Sequence, residues 1–308
     1  SVMAWLADRG MGIDALAQTG LFHLDADTRV GEDYLEGVLS SMATDGGAWG
    51  VALEFEHREP ADQGLATQLA VYELYLRFVI QSLRSIGSPY GYPTMGSAMG
   101  SSVAAYVAAG GIPGKRTAGE DFYFLQQLSK TGWVQTLSRV VVRPSGRQSS
   151  RVPFGTGPAM RRALEQGEFP TPGLWDGGPL ADLRELFVAV AGTAPGEDAV
   201  LVPGPLGTYL ERHGFRDVWT KIGKNHRDAA ERLAAFHCWF DGLKTMRYLR
   251  LCAGAPGTQG DVLHAWRELC RFAGLPMVRG REPRQVLKQV RQLQRRDEKR
   301  GVRLSRQA

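Results

Sequence analysis

Apolar residues in this chain recur first at strand-like and then at helical spacing, and the alternation continues through its first half. After a short helix over residues 9–18, Leu21-Phe22-His23-Leu24 is an apolar stretch suited to a buried strand. Tyr34, Leu35, Val38, Leu39 and Met42 share one helical face, and Trp49 to Phe55 reads as a strand again. Leu65 to Leu83 predicts a long amphipathic helix with Leu65, Leu69, Tyr72, Leu76 and Val79 along one face. Pro93 to Met99 is extended, and Ala104 to Ala108 forms a short helix ending at Gly110-Gly111. A helix from Glu120 to Lys130 follows Gly119, its acidic first turn matched to the positive end of the helix dipole. Val134 to Val142 is then a strand. Strands alternating with helices predict an α/β sheet domain.

The pattern changes after Val142. Pro144 to Pro172 is rich in Gly, Pro, Ser and Arg, and marks a long functional loop or a domain junction. From about Gly178 only helices are predicted: Asp182 to Val190, Phe215 to Ile222, Ala229 to Leu251, Asp261 to Phe272 and Pro283 to Arg296. The expected organisation is an α/β domain over residues 1–157 and a helical region over 158–308 with a basic tail.

Composition adds little to this until its distribution is considered. The chain has 308 residues, 43% hydrophobic and 22% charged, as in an ordinary globular protein. Its apolar runs are too short for a bilayer, and no secretory leader is expected from its opening residues. It begins with Ser1 rather than Met, so the natural start is expected upstream. Cys238, Cys252 and Cys270 fit neither a disulfide framework nor a zinc site, and are read as buried thiols of a reducing, cytoplasmic compartment. The net charge of +5 is unevenly placed: 11 Lys/Arg against 3 Asp/Glu lie from Arg279 onward, leaving 26 basic and 29 acidic groups before it. A nucleic-acid groove needs positive charge on the folded body, so no nucleic-acid partner is expected. The tail is read as a solvated helix end or a peripheral contact with anionic lipid at the inner face of the membrane.

Three segments carry candidate chemistry, each with a plain structural alternative. Asp25-Ala26-Asp27 ends the first strand, where two carboxylates can reach one hard divalent cation; Asp is also a common turn former there. Glu120-Asp121 opens a helix, where an acid can serve as a general base or merely favour the helix end. Arg143-Pro144-Ser145-Gly146-Arg147-Gln148-Ser149-Ser150-Arg151 suits bidentate contacts with a diphosphate, or is a solvated loop. Gly114-Lys115 is no phosphate-binding loop: the first glycine of that motif is replaced by Ala109, and Arg116 stands where Ser or Thr is needed.

Taken in order, these features resemble the family 2 glycosyltransferases. "LDADTRV" is similar to that family's donor-metal motif, and "TMGSAMGSSVAAYVAAGGIPGKRTAGEDFYFLQQLSKTG" to its acceptor-side region. "RPSGRQSSRVPFGTG" looks like the arginine-bearing loop of a bacterial subgroup. The resemblance covers residues 9–160, and more loosely "WFDGLKTMRYL". It implies a GT-A-like (Rossmann-like) mixed sheet flanked by helices. It further implies inverting transfer of a sugar from a nucleotide-diphosphate donor to the hydroxyl of a carbohydrate or lipid-linked acceptor. By the resemblance, Asp27 would bind Mn²⁺ or Mg²⁺, and Asp25 would contact ribose or metal. Asp121 would be the general base, with Glu120 shaping the acceptor pocket. Arg147 and Arg151 would hold the leaving nucleoside diphosphate.

Two departures qualify it. Ser101-Ser102 stand where many members carry arginine, so a diphosphate or acceptor contact made there is either absent or supplied by Arg116 instead. The family's opening strand–helix units have no counterpart before Asp25; at ~30 residues per unit, ~80 residues are expected upstream, and the chain alone is expected to be unstable or inactive. The alternative reading is a non-catalytic glycosyltransferase-like binding module. Tyr90, Tyr92, Trp133 and Trp175 are candidates for stacking on sugar rings, or for core packing.

Overall fold

The computed structural model describes residues 8–10, 12, 19–42, 49–112, 119–150, 152–193, 202–257 and 259–297. Arg116, Arg151 and most of the helix expected over 9–18 lie outside them. The chain divides into two compact units, residues 1–66 with 92–161, and residues 67–91 with 162–308. The first is α/β. The second is helical among the described residues.

Among the described residues the first unit is built on a four-stranded mixed sheet. In chain order it contains β1 (Gly20–His23), α1 (Tyr34–Met42), β2 (Gly50–Phe55) and the start of α2 (Gln63–Ser85). It returns with β3 (Met99–Ser102), α3 (Val103–Ala108), α4 (Glu120–Thr131), β4 (Val134–Val142) and the start of α5 (Thr156–Gln166). The strand order is β1-β3-β2-β4. Every residue of β2 is buried, as a central strand covered on both faces requires. Gly37 lets α1 lie close on the sheet, since a Cβ there would fall 2.5 Å from Val140 Cγ2.

Direction matters more than order here. β3 runs antiparallel to both β1 and β2, and β2 runs parallel to β4. The C-terminal ends of β1, β2 and β4 therefore share one edge of the sheet. The N-terminal end of β3 lies there too, with Met99 paired to His23 and to Ala52.

The second unit takes the rest of α2 and adds α6 (Gly177–Gly192), α7 (Gly204–Arg212), α8 (Phe215–Asn225), α9 (Ala229–Trp239), α10 (Gly242–Cys252), α11 (Gln259–Ala273) and α12 (Pro283–Asp297). The long helix expected over 229–251 is two: Asp241 caps α10 by accepting from the Lys244 N–H, so the chain breaks at Phe240. Nor is α2 simply amphipathic. Leu76 and Val79 are only half-buried, whereas the polar stripe Glu73, Arg77 and Gln81 is fully buried.

That burial is tolerable because each charge is paired. Glu73 accepts from Arg77 Nε at 2.8 Å and bidentately from Arg291 at 2.8 and 2.9 Å. Gln294 accepts from Arg77 and donates back to its carbonyl and to Gln81. Hence α12, read from sequence as the start of a solvated basic tail, is a core helix with Val286, Val290 and Leu293 buried. The cysteines also differ from expectation: Cys270 is buried, Cys252 half-buried and Cys238 exposed. Among the described residues no helix is long and apolar enough to cross a membrane.

Candidate active site

The Asp25-Ala26-Asp27-Thr28 segment is a tight turn closed by the Thr28 N–H donating to the Asp25 carbonyl at 3.0 Å. The turn-forming and functional readings of these aspartates are thus compatible. Asp25 is exposed and Asp27 half-buried. The turn leaves β1 at the sheet edge where the C-terminal ends of β2 and β4 also emerge.

Two further segments are stitched to that turn. Arg29 and Arg143 exchange main-chain hydrogen bonds at 3.1 and 2.7 Å, so the chain leaving β4 runs beside the exit of the turn. On its other side the Arg58 N–H donates to the Pro144 carbonyl at 2.9 Å. The arginine loop therefore starts between the D-x-D turn and the end of β2. Its far end is held by His57, whose Nε2 lies 3.0 Å from Thr156 Oγ1 at the start of α5.

Side chains complete the convergence. Arg147 Nη2 forms an ion pair with Asp27 Oδ2 at 2.8 Å. Arg58 Nη2 donates to the Asp27 carbonyl at 2.8 Å, a role with no periodic or motif signal in the sequence. Among the described residues, Thr28 Oγ1 and Arg58 Nε are buried without a hydrogen-bond partner. Orphaned polar atoms of this kind call for an explanation, and a polar ligand at the turn would supply one.

Asp121 reaches the same edge by another route. The Gly96 N–H, just ahead of β3, donates to its carboxylate, and so does the Phe122 N–H at 2.7 Å. Phe124 of α4 packs its ring 5.6 Å from His23, the last residue of β1. Gly119, at φ +81°, caps α4; a Cβ there would sit 3.4 Å from Phe154 Cζ, so the exposed Phe154 of the arginine loop lies against the start of this helix. Burial is the main reason the Asp121 carboxyl is pushed up to about 6, with the neighbouring Glu120 charge adding to it and the N–H donors opposing it.

Other expected contributors are placed elsewhere. Ser102 is consumed as the N-cap of α3, accepting from the Ala105 N–H, and Ser101 is fully buried. Tyr90, Tyr92 and Trp175 are core residues with their polar atoms bonded to His237, Ser129 and Ser82, so they are not free to stack on a sugar. Trp133 is half-buried. Phe154, to which the sequence pattern assigned no role, is an exposed aromatic ring at the site.

Among the described residues no group of three or more His, Cys, Asp or Glu is arranged to hold a metal ion. That excludes an all-protein cage among them and leaves the mode in which Mg²⁺ or Mn²⁺ takes one or two carboxylates and fills its shell from substrate phosphates and water. Asp27, half-buried on a turn with its carboxylate paired to the exposed Arg147, fits such a role.

No family model matches the chain, and neither a curated protein nor a solved structure matches it.

Proposed function

We propose that this chain carries catalytic machinery of an inverting, metal-assisted glycosyltransferase of the family 2, GT-A type, using a nucleotide-diphosphate sugar. The observation that carries the reading is the convergence of the D-x-D turn, Arg58 and the arginine loop at one sheet edge, with Asp121 anchored to that edge through Gly96. In open α/β sheets, ligands sit outside the carboxyl ends of the strands, where these groups lie.

In this reading Asp27 holds the cation, with Asp25 beside it toward the ribose or the metal. A bound Mn²⁺ or Mg²⁺ supplies charge neutralisation on the donor diphosphate. Arg147 and Arg58 stabilise the negative charge that grows on the leaving diphosphate as the anomeric C–O bond breaks. The Asp121 carboxylate takes the acceptor hydroxyl's proton while that oxygen attacks the anomeric carbon from the opposite face, with inversion. A carboxyl held at about 6 is ionised at neutral pH yet basic enough for this transfer. Glu120 lies beside it on the acceptor side, and Phe154 offers an apolar face for a sugar ring.

The reading is tested by nucleotide protection. UDP, GDP and dTDP are added with Mn²⁺, Mg²⁺ or EDTA, and thermal stability is recorded. One diphosphate should stabilise the protein only with metal, and Asp27→Ala should remove the effect. Metal-dependent protection without sugar transfer from any donor would favour the binding module. No protection by any nucleotide would count against both.

A further inference from the structure

Helix α10 has two dissimilar faces. Thr245, Tyr248 and Leu249 are buried in the second unit. On the opposite side Leu243, Met246, Arg247, Arg250 and Leu251 follow one another at i, i+3, i+4, i+7 and i+8, which puts them on one stripe. This outer stripe is apolar with two arginines, and Leu251 is 74% exposed. A solvated helix face would carry polar residues at these positions.

The stripe forms one wall of a cavity of about 580 Å³ whose other wall is the end of α7, Tyr209 and His213. That wall is fixed. The Tyr209 hydroxyl donates to the Lys244 carbonyl at 3.0 Å, His213 Nδ1 lies 2.8 Å from the Tyr209 carbonyl, and the two rings are 4.3 Å apart. Arg250 is steadied by donating to the Tyr75 hydroxyl at 2.5 Å. Among the described residues the lining contains no carboxylate, and α10 has none along its length.

We infer that this groove binds a single anionic amphiphile, one hydrocarbon chain carrying a phosphate, with the chain against Leu243, Met246 and Leu251 and the phosphate between Arg247 and Arg250. Charge complementarity selects the head: Arg247 and Arg250 stand one turn apart with no acid among the described lining residues, which suits a phosphate and repels a cation. The volume lies within the range of small-molecule sites. The inference stands independently of the glycosyltransferase reading, since none of its residues belongs to the first unit.

The test is calorimetric titration of the whole chain, below micelle-forming concentrations, with dodecyl phosphate, dodecyl maltoside, dodecyltrimethylammonium and inorganic phosphate. Dodecyl phosphate should bind one to one, and the neutral, cationic and chain-free probes about tenfold more weakly or not at all. Arg247→Glu and Leu251→Asp, both at exposed positions, should each weaken dodecyl phosphate about tenfold with the melting temperature unchanged. Equal binding of the neutral detergent, equally tight inorganic phosphate, or indifference to Leu251→Asp would overturn the inference. So would a concentration-dependent dimer that Leu251→Asp dissociates, which would give this face to a second copy of the chain.

Discussion

Arg147 reaches back across the arginine loop to place Nη2 2.8 Å from Oδ2 of Asp27, so the cation expected to hold a leaving diphosphate and the carboxylate expected to hold its metal occupy one place. In this arrangement each charge neutralises the other. The pair is exposed, with 69% and 36% of the two side chains accessible, so it adds little to stability.

Arg147→Ala should therefore leave thermal unfolding within about 0.5 kcal/mol of the parent while weakening nucleoside diphosphate binding about tenfold or more. Thermal melts and nucleotide titrations on the same samples check this. A large loss of stability would make Arg147 a structural residue.

Asp121 is expected to set the pH profile and to cost stability. Its folded-state carboxyl is raised to about 6 from an ordinary 3.8, so the folded protein binds more protons than the unfolded chain between those values. Stability is full below the lower value and falls as pH rises through about 6. Asp121→Asn should abolish transfer and raise unfolding free energy by about 1–3 kcal/mol at pH 7.5, with no gain at pH 4. In the parent, turnover should climb through pH 6 as the base ionises.

His237 gives the second unit the opposite pH dependence. It is buried beside the Phe187 ring at 4.7 Å, and that burial lowers it to about 4. Between about 4 and 6.5 the unfolded chain holds the proton and the folded one does not, so stability is full above 6.5 and lost as pH falls. Urea unfolding should show a slope of up to about 1.4 kcal/mol per pH unit over that window from this group, absent in His237→Phe.

Glu73 joins α2 to α12 through Arg77 and Arg291. Glu73→Ala leaves two cations without their buried carboxylate and should lower stability by about 3–5 kcal/mol by chemical denaturation. Deleting residues from Arg279 onward removes Val286, Val290 and Leu293 from the core and should unfold the second unit. A membrane-binding role for the tail is better probed by changing the exposed Lys288 and Arg295 to Gln.

The long elements were legible because their apolar spacing is strong. β4 and α4 appear within a residue of where Val134 to Val142 and Glu120 to Lys130 put them. Helix α5 was hidden because Thr156-Gly157-Pro158 reads as loop, although proline is tolerated in a first helical turn. Gly204-Pro205 concealed α7 in the same way. The break at Phe240 had a signal, Asp241-Gly242, which a cap-seeking reading would have used. At the site, Asp27, Asp121 and Arg147 carry motif signals. Arg58 carries none, because its role arises from strand pairing with the loop after β4, which one-dimensional spacing does not encode.

The most direct test is nucleotide release from a panel of UDP-, GDP- and dTDP-sugars by the purified protein. Mn²⁺, Mg²⁺ or EDTA is added, with Asp27→Ala and Asp121→Asn alongside. Metal-dependent release from one donor, lost in both variants, with a product of inverted anomeric configuration, is the predicted result. A folded protein that releases nucleotide from no donor, or does so equally well in Asp27→Ala and Asp121→Asn, would contradict it.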